Sequence, residues 1–281
     1  METVSPLIQI NVWLDIVFVV IYIFMLLFLM FHFTLFVTTG RFRKSFIEGH
    51  WAEHDSRPPA TPKWLHAGHM VSMIILGFTG MYLRFPFLFR GSAARATMRN
   101  MHYVFMIVVI VILVWRVWYA FFSKNKDYKE FAIGKKDLAT FMGVLAYYGY
   151  FSNNKPHVAK YNVMQKLSYN MFLVMMVVQA ITGLLIFRVP FMLGHSPNEF
   201  VALVGGINGV WALRTVHYIL NWLFIILTTV HFYLAASADV PCALDFFGLT
   251  ELEVHPHGHD DGDEDSHGAP AVEPAPQAAS Y

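Results

Sequence analysis

The chain has 281 residues, of which 56% are hydrophobic, 16% aromatic and only 14% charged, with a formal net charge of +1. Soluble domains carry about 25% charged residues, so this composition, with a mean hydropathy of +0.47, describes a membrane protein and offers nothing to a nucleic acid. The single cysteine, Cys242, excludes an internal disulfide. It also excludes an iron–sulfur cluster or a c-type haem attachment built by this chain alone.

Five apolar runs are long enough to cross about 30 Å of hydrocarbon: Val12–Phe36, Leu65–Phe85, His102–Phe122, Leu167–Phe187 and Leu213–Ala236. The first is too long for the core of a signal peptide and has no basic segment before it, so no cleavable leader is expected. The predicted organisation is an N-terminal transmembrane helix (1–40), a cytoplasmic loop (41–62), a membrane bundle (63–240) and a disordered cytoplasmic tail (241–281). The tail is acidic and rich in His, Pro and Ala, too polar to bury a core. His255, His257 and His259 within it read as solvated residues rather than a metal site.

Basic residues set the expected orientation. The loop after the first span holds Arg41, Arg43, Lys44, Arg57 and Lys63. The loop after the third holds Lys124, Lys126, Lys129, Lys135, Lys136, Lys155 and Lys160. The other side has only Arg90, Arg95, Arg99 and Arg188. The heavier side is expected in the cytoplasm, with the N-terminus outside and the C-terminus inside. Lys136–Tyr150 reads as an interfacial or re-entrant helix on the cytoplasmic face, and Pro197–Ala212 as a segment along the outer surface.

An ionisable residue inside a span marks a functional site by default. His217 and His231 lie fourteen residues apart in the last span. On a helix that is about 21 Å of rise and roughly 40° short of four turns, so both rings leave one face near opposite ends. Two haems b stacked across the membrane need four imidazoles at two depths. His102, opening the third span, matches the depth of His217, and His66, opening the second, matches His231. The expected axial pairs are therefore His102/His217 outside and His66/His231 inside. His69, one turn from His66, is an alternative ligand. His32 reads as a packed or hydrogen-bonded residue, and His50, His54, His157 and His195 as loop residues. Gly77, Gly80 and Gly183 permit close approach of a cofactor plane or of another helix. Arg84, Arg188 and Arg116 near span ends suit either haem propionates or the interface.

Four features carry a resemblance to a family. They are Trp64-Leu65-His66 followed by Thr79-Gly80, His102 opening the next span, Lys160-Tyr161-Asn162-Val163-Met164-Gln165-Lys166 leading into a span with Thr182-Gly183, and the His217/His231 spacing. Over about Lys63–Ala236 the chain resembles the di-haem cytochrome b subunits of respiratory nickel–iron hydrogenases, formate dehydrogenases and thiosulfate reductases. That resemblance implies an all-α integral membrane protein with a four-helix di-haem bundle in the bacterial cytoplasmic membrane; the chain departs from the four-helix members by its extra N-terminal helix, which makes five transmembrane helices, by a long second cytoplasmic segment and by its charged tail. It implies a quinone (ubiquinone or menaquinone) beside the inner haem, hydrogen-bonded by Asn162 and Gln165. Both residues also sit at the membrane interface, where a helix-capping role is open to Asn162. The implied partners are membrane lipid and a periplasmic iron–sulfur or multihaem electron-transfer subunit with its catalytic subunit.

The expected function is transmembrane electron transfer from a periplasmic hydrogenase- or dehydrogenase-type partner to the quinone pool. The alternatives are a quinol-oxidising cytochrome that passes electrons outward to a multihaem cytochrome or reductase, a membrane anchor with structural haems, and a haem-free transporter with proton-relay histidines.

Overall fold

A computed structural model of the chain describes residues 6–51, 57–86, 91–154, 161–190 and 194–254. His54, His157, His255, His257 and His259 lie outside the described residues, as does most of the expected tail. The order is α1 (Pro6–Thr38), a π-helical turn (Arg43–Ile47), α2 (Ala60–Arg84), α3 (Ser92–Phe122), a 3₁₀ turn (Asp127–Phe131), α4 (Lys135–Tyr148), α5 (Val163–Leu185), α6 (Pro197–Ala238) and α7 (Val240–Phe246).

Local chemistry sets the helix ends. Phe85 precedes Pro86, which disfavours helical backbone, and Phe85 is extended at φ −126°, ψ 93°. Asn162 and Gln165 cap α5 reciprocally: Gln165 N donates to Asn162 Oδ1 at 3.0 Å and Asn162 N to Gln165 Oε1 at 2.9 Å. α6 starts with Pro197 in its first turn and Ser196 N donating to Glu199 at 3.2 Å. At 42 residues α6 would be about 63 Å long if straight. It breaks at Gly206, whose φ of 62° and ψ of −169° only glycine adopts without strain. The expected surface segment 197–212 is thus divided: 197–205 is the kinked-off first part of α6, with Leu203 and Val204 82% and 90% exposed, while Val210 beyond the break is buried.

Among the described residues, α1, α3, α5 and α6 are long and apolar enough to cross a membrane. α2 has the length, 25 residues, but His66, His69, Ser72 and Thr79 dilute its apolar run. The most extensive contacts are within two hairpins, α2 with α3 and α5 with α6. α3 with α5 and α2 with α6 complete a ring of four helices, and α1 packs outside it on α6.

α1 is held by a stripe. Its buried or half-buried residues include Asn11, Asp15, Phe18, Tyr22, Met25, Leu29, His32 and Phe36, alternating by four and three as in a heptad seam. Polar groups recur along it. Asn11 donates to Thr215 at 3.0 Å, Tyr22 shares a 3.3 Å bond with Thr229, and Phe18 stacks on Trp222 at 5.7 Å. Asp15 bonds Arg84 at 2.5 Å and accepts from Tyr218 at 2.5 Å. Near the end of the helix, His32 Nε2 donates to the Tyr148 carbonyl at 2.9 Å while the Tyr233 hydroxyl donates to Nδ1 at 2.6 Å. His32 is thus a hydrogen-bonded structural residue, as its sequence position suggests.

The fold also runs past residue 240. Residues 241–254, assigned above to the tail, include most of α7. Its Asp245 is fully buried and paired with Lys63 at 2.5 Å and Arg57 at 2.7 Å. The isolated composition of the segment hides this, because the partners lie some 180 residues earlier.

Candidate haem sites

The two hairpins face each other across a cavity of about 2500 Å³. Small-molecule pockets are about 300–1,000 Å³, so this space suits more than one large ligand. All four sequence-derived histidines line it, with His69 and Gln179. His102 (α3) and His217 (α6) face each other with ring centroids 6.4 Å apart, and His66 (α2) and His231 (α6) do so at the same 6.4 Å. Two imidazoles on opposite sides of one metal, each nitrogen about 2 Å from it, have centroids roughly 6 Å apart. His69 has no ring contact with His231 among the described residues, so the pairing by depth falls on His66.

The His102/His217 pair is held by a device used twice. The Thr79 hydroxyl donates to the Ile75 carbonyl at 2.7 Å, so at its 2.8 Å bond to His102 Nδ1 it accepts. Thr182 likewise donates to the Val178 carbonyl at 2.9 Å and accepts from His217 Nδ1 at 2.9 Å. Each threonine thus places the ring proton on Nδ1 and leaves Nε2 with a lone pair, the tautomer a metal needs. A glycine follows each threonine. A Cβ on Gly80 would lie 3.5 Å from His102 Cε1, and one on Gly183 would lie 3.3 Å from His217 Cε1. Gly183 thus relieves crowding on the His217 ring, while Gly80 faces His102 at ordinary van der Waals distance. Gly77 meets nothing within 4 Å.

Unsatisfied polar atoms mark the same space. Gln179 Nε2 donates to His217 Nε2 at 3.2 Å while its buried Oε1 has no partner, and neither has the buried Nε2 of His69. A leftover buried acceptor or imidazole nitrogen points to a missing ligand. The paired rings, the Nδ1–H tautomers, the space at Gly183 and these orphaned atoms together fit haem.

At the His66/His231 end, Phe246 of α7 packs edge-on against His66 at 5.4 Å, and Phe172 against His231 at 6.2 Å. Among the described residues neither of these two histidine rings has a hydrogen-bond partner.

Other sequence candidates resolve differently. Arg84 is taken up by Asp15 and Arg116 by Asp127 at 3.0 Å, so neither is the open cation that a propionate would seek. Arg188 lines the cavity, as do Arg99 and Arg214, and has no carboxylate partner among the described residues. Asn162 and Gln165 also line it, but their amide oxygens are spent in the α5 cap. Sequence reading missed the roles of Thr79, Thr182, Gln179 and Phe246. The first two were visible as a repeated Thr-Gly pair, and nothing local marked the others.

The model of the prokaryotic cytochrome b561 family matches residues 59–241. The chain belongs to that family. It is a membrane cytochrome b, an electron-transfer protein that binds haem b. Comparison with curated proteins finds no match. The family match covers α2 to α6 and leaves out α1, the π-helical turn and most of α7. Two of the contacts that anchor those extra parts, Asp15–Arg84 and Asp245–Lys63, each join a residue outside the match to one inside it.

Proposed function

We propose that this cytochrome b spans the membrane five times and carries electrons from a periplasmic redox partner to the quinone pool through two haems b. The observation that carries the proposal is the pair of 6.4 Å imidazole contacts, one midway along α6 at His217 and one near its C-terminal end at His231. In this reading His102 and His217 hold the outer haem, and His66 and His231 the inner one. When bound, the two haems supply one-electron carriage between the faces of the membrane.

α2 is the fifth span. Its length of about 37 Å exceeds the hydrocarbon core. Its polar residues turn inward, with Ser72 and Thr79 buried, while Val71, Ile74 and Phe78 are exposed. In this reading, which the basic loops support, the N-terminus lies in the periplasm and the His66/His231 end at the cytoplasmic face.

Quinone reduction takes two electrons and two protons. Asn162 and Gln165 stand at the cytoplasmic end of α5, and with their oxygens used as caps their NH₂ groups are the donors for a quinone carbonyl, that of Asn162 in exchange for the Tyr148 hydroxyl it meets. Protons taken from the cytoplasm and electrons moving inward both separate charge, worth about 2.3 kcal/mol per charge per 100 mV. The periplasmic partner is an iron–sulfur or multihaem subunit of a hydrogenase or dehydrogenase, as the resemblance implies.

Purification with spectroscopy tests the proposal. Two b-type haems per chain, reduced by an external donor and reoxidised by a water-soluble quinone, are expected. A haem-free protein, or haems that quinone leaves reduced, would overturn it.

A further inference from the structure

The two histidine pairs are alike in distance but differ in what lies behind them. Behind His102 and His217 stand Thr79 and Thr182, each with its hydroxyl proton committed to a backbone carbonyl and its oxygen accepting from Nδ1–H. Thr79 is fully buried and Thr182 nearly so, so water does not compete for these bonds. Behind His66 and His231 the neighbours are apolar rings, Phe246 and Phe172, and among the described residues no acceptor reaches either Nδ1 or Nε2.

An acceptor on Nδ1–H shifts electron density toward Nε2 and makes the imidazole a more basic ligand. A more basic ligand favours ferric over ferrous iron, and so lowers the reduction potential. Axial ligand strength, hydrogen bonding and burial are the protein's means of setting that potential. Here both ligands of one pair donate such a hydrogen bond from Nδ1–H and neither ligand of the other does, so the bias is one-sided.

We infer that Thr79 and Thr182 are positioning residues that rank the two haem sites, holding the His102/His217 site at the lower potential and the His66/His231 site at the higher. The inference rests on the two-haem reading above and adds a direction to it. Electron transfer from the His102/His217 end to the His66/His231 end is downhill. The opposite flow, quinol oxidation with electrons passed outward, works against the ranking. The role of each threonine lies in one oxygen atom, so it is separable from packing: valine keeps the shape and removes the acceptor, and serine keeps the acceptor.

The test is a potentiometric titration of the purified full-length protein followed at the b-type absorption band. The wild type should titrate in two steps. In His217→Ala the lower step should vanish, which assigns it. Thr79→Val and Thr182→Val should each move the lower step upward and leave the upper one in place, the double variant should narrow the gap further, and the serine variants should restore the wild-type values. Should one valine variant fail to load haem, the other carries the test, since each acts on its own ligand. Loss of the upper step in His217→Ala, or valine variants whose two steps match the wild type, would overturn the inference while leaving two haems in place. A wild type without haem would instead overturn the reading beneath it.

Discussion

His66 and His69 stand one turn apart on α2, and sequence spacing alone leaves either as a ligand. Their surroundings separate them. His66 meets His231 at 6.4 Å, while His69 has no ring contact with His231 among the described residues. Replacing His66 by Ala should therefore abolish one haem, whereas His69→Ala should keep both; a haem assay on the two variants decides it. Asn162 shows the converse difficulty. One short motif reads both as a pair of quinone donors and as a capping box, and the bonds at 2.9 and 3.0 Å establish the second without speaking to the first. Asn162→Ala should lose about 1 kcal/mol of helix stability and slow quinone reduction with haem spectra intact. Asn162→Ser, which can still cap, separates the roles: normal quinone kinetics in both variants would confine Asn162 to capping.

At the scale of elements, α1 and α7 were the least legible. α1 was plain as a span, but its docking face was not, because its apolar residues run around the whole helix. The face is marked instead by sparse polar residues at heptad spacing, from Asn11 to His32. Asp15 is the strongest of these. Asp15→Asn would leave the half-buried Arg84 guanidinium short of its charge partner, at a cost of about 1–3 kcal/mol. Thermal unfolding in detergent, with Arg84→Gln and the double variant, should show coupling between the sites; additive effects would mean that the pair does not hold α1.

α7 depends on Asp245. Burial pushes this carboxyl up, but the hydrogen bonds from Lys63 and Arg57 outweigh it and hold it below the ordinary carboxylate range. Stability from a lowered carboxyl is complete above its unfolded value, about 3.9, and is lost as pH falls through the lower folded one. α7 should stay docked at pH 5 and loosen only below about pH 4. Asp245→Asn should loosen it at neutral pH, because breaking a buried pair costs about 3–5 kcal/mol. Hydrogen exchange of residues 240–246 reads both effects, and equal protection in the variant at neutral pH would show that apolar packing alone holds the helix.

For the whole molecule, the hydropathy runs and the four histidines were enough to predict a helical membrane protein with two histidine pairs matched in depth, since both follow from helix geometry along one chain. What the sequence could not supply were contacts between distant segments: threonines on α2 and α5 behind histidines on α3 and α6, and a C-terminal helix clamped to the start of α2. These depend on how the two hairpins close around the cavity, which no local pattern encodes. Orientation and quinone contact rest on loop charge and on the α5 cap. The arrangement of histidines is independent of both and is the centre of the account. The direct measurement of that arrangement is haem stoichiometry in the wild type, His217→Ala and His231→Ala. The account predicts two b-type haems per chain in the wild type and one in each variant, with different spectra remaining. Two haems retained in either variant would contradict it.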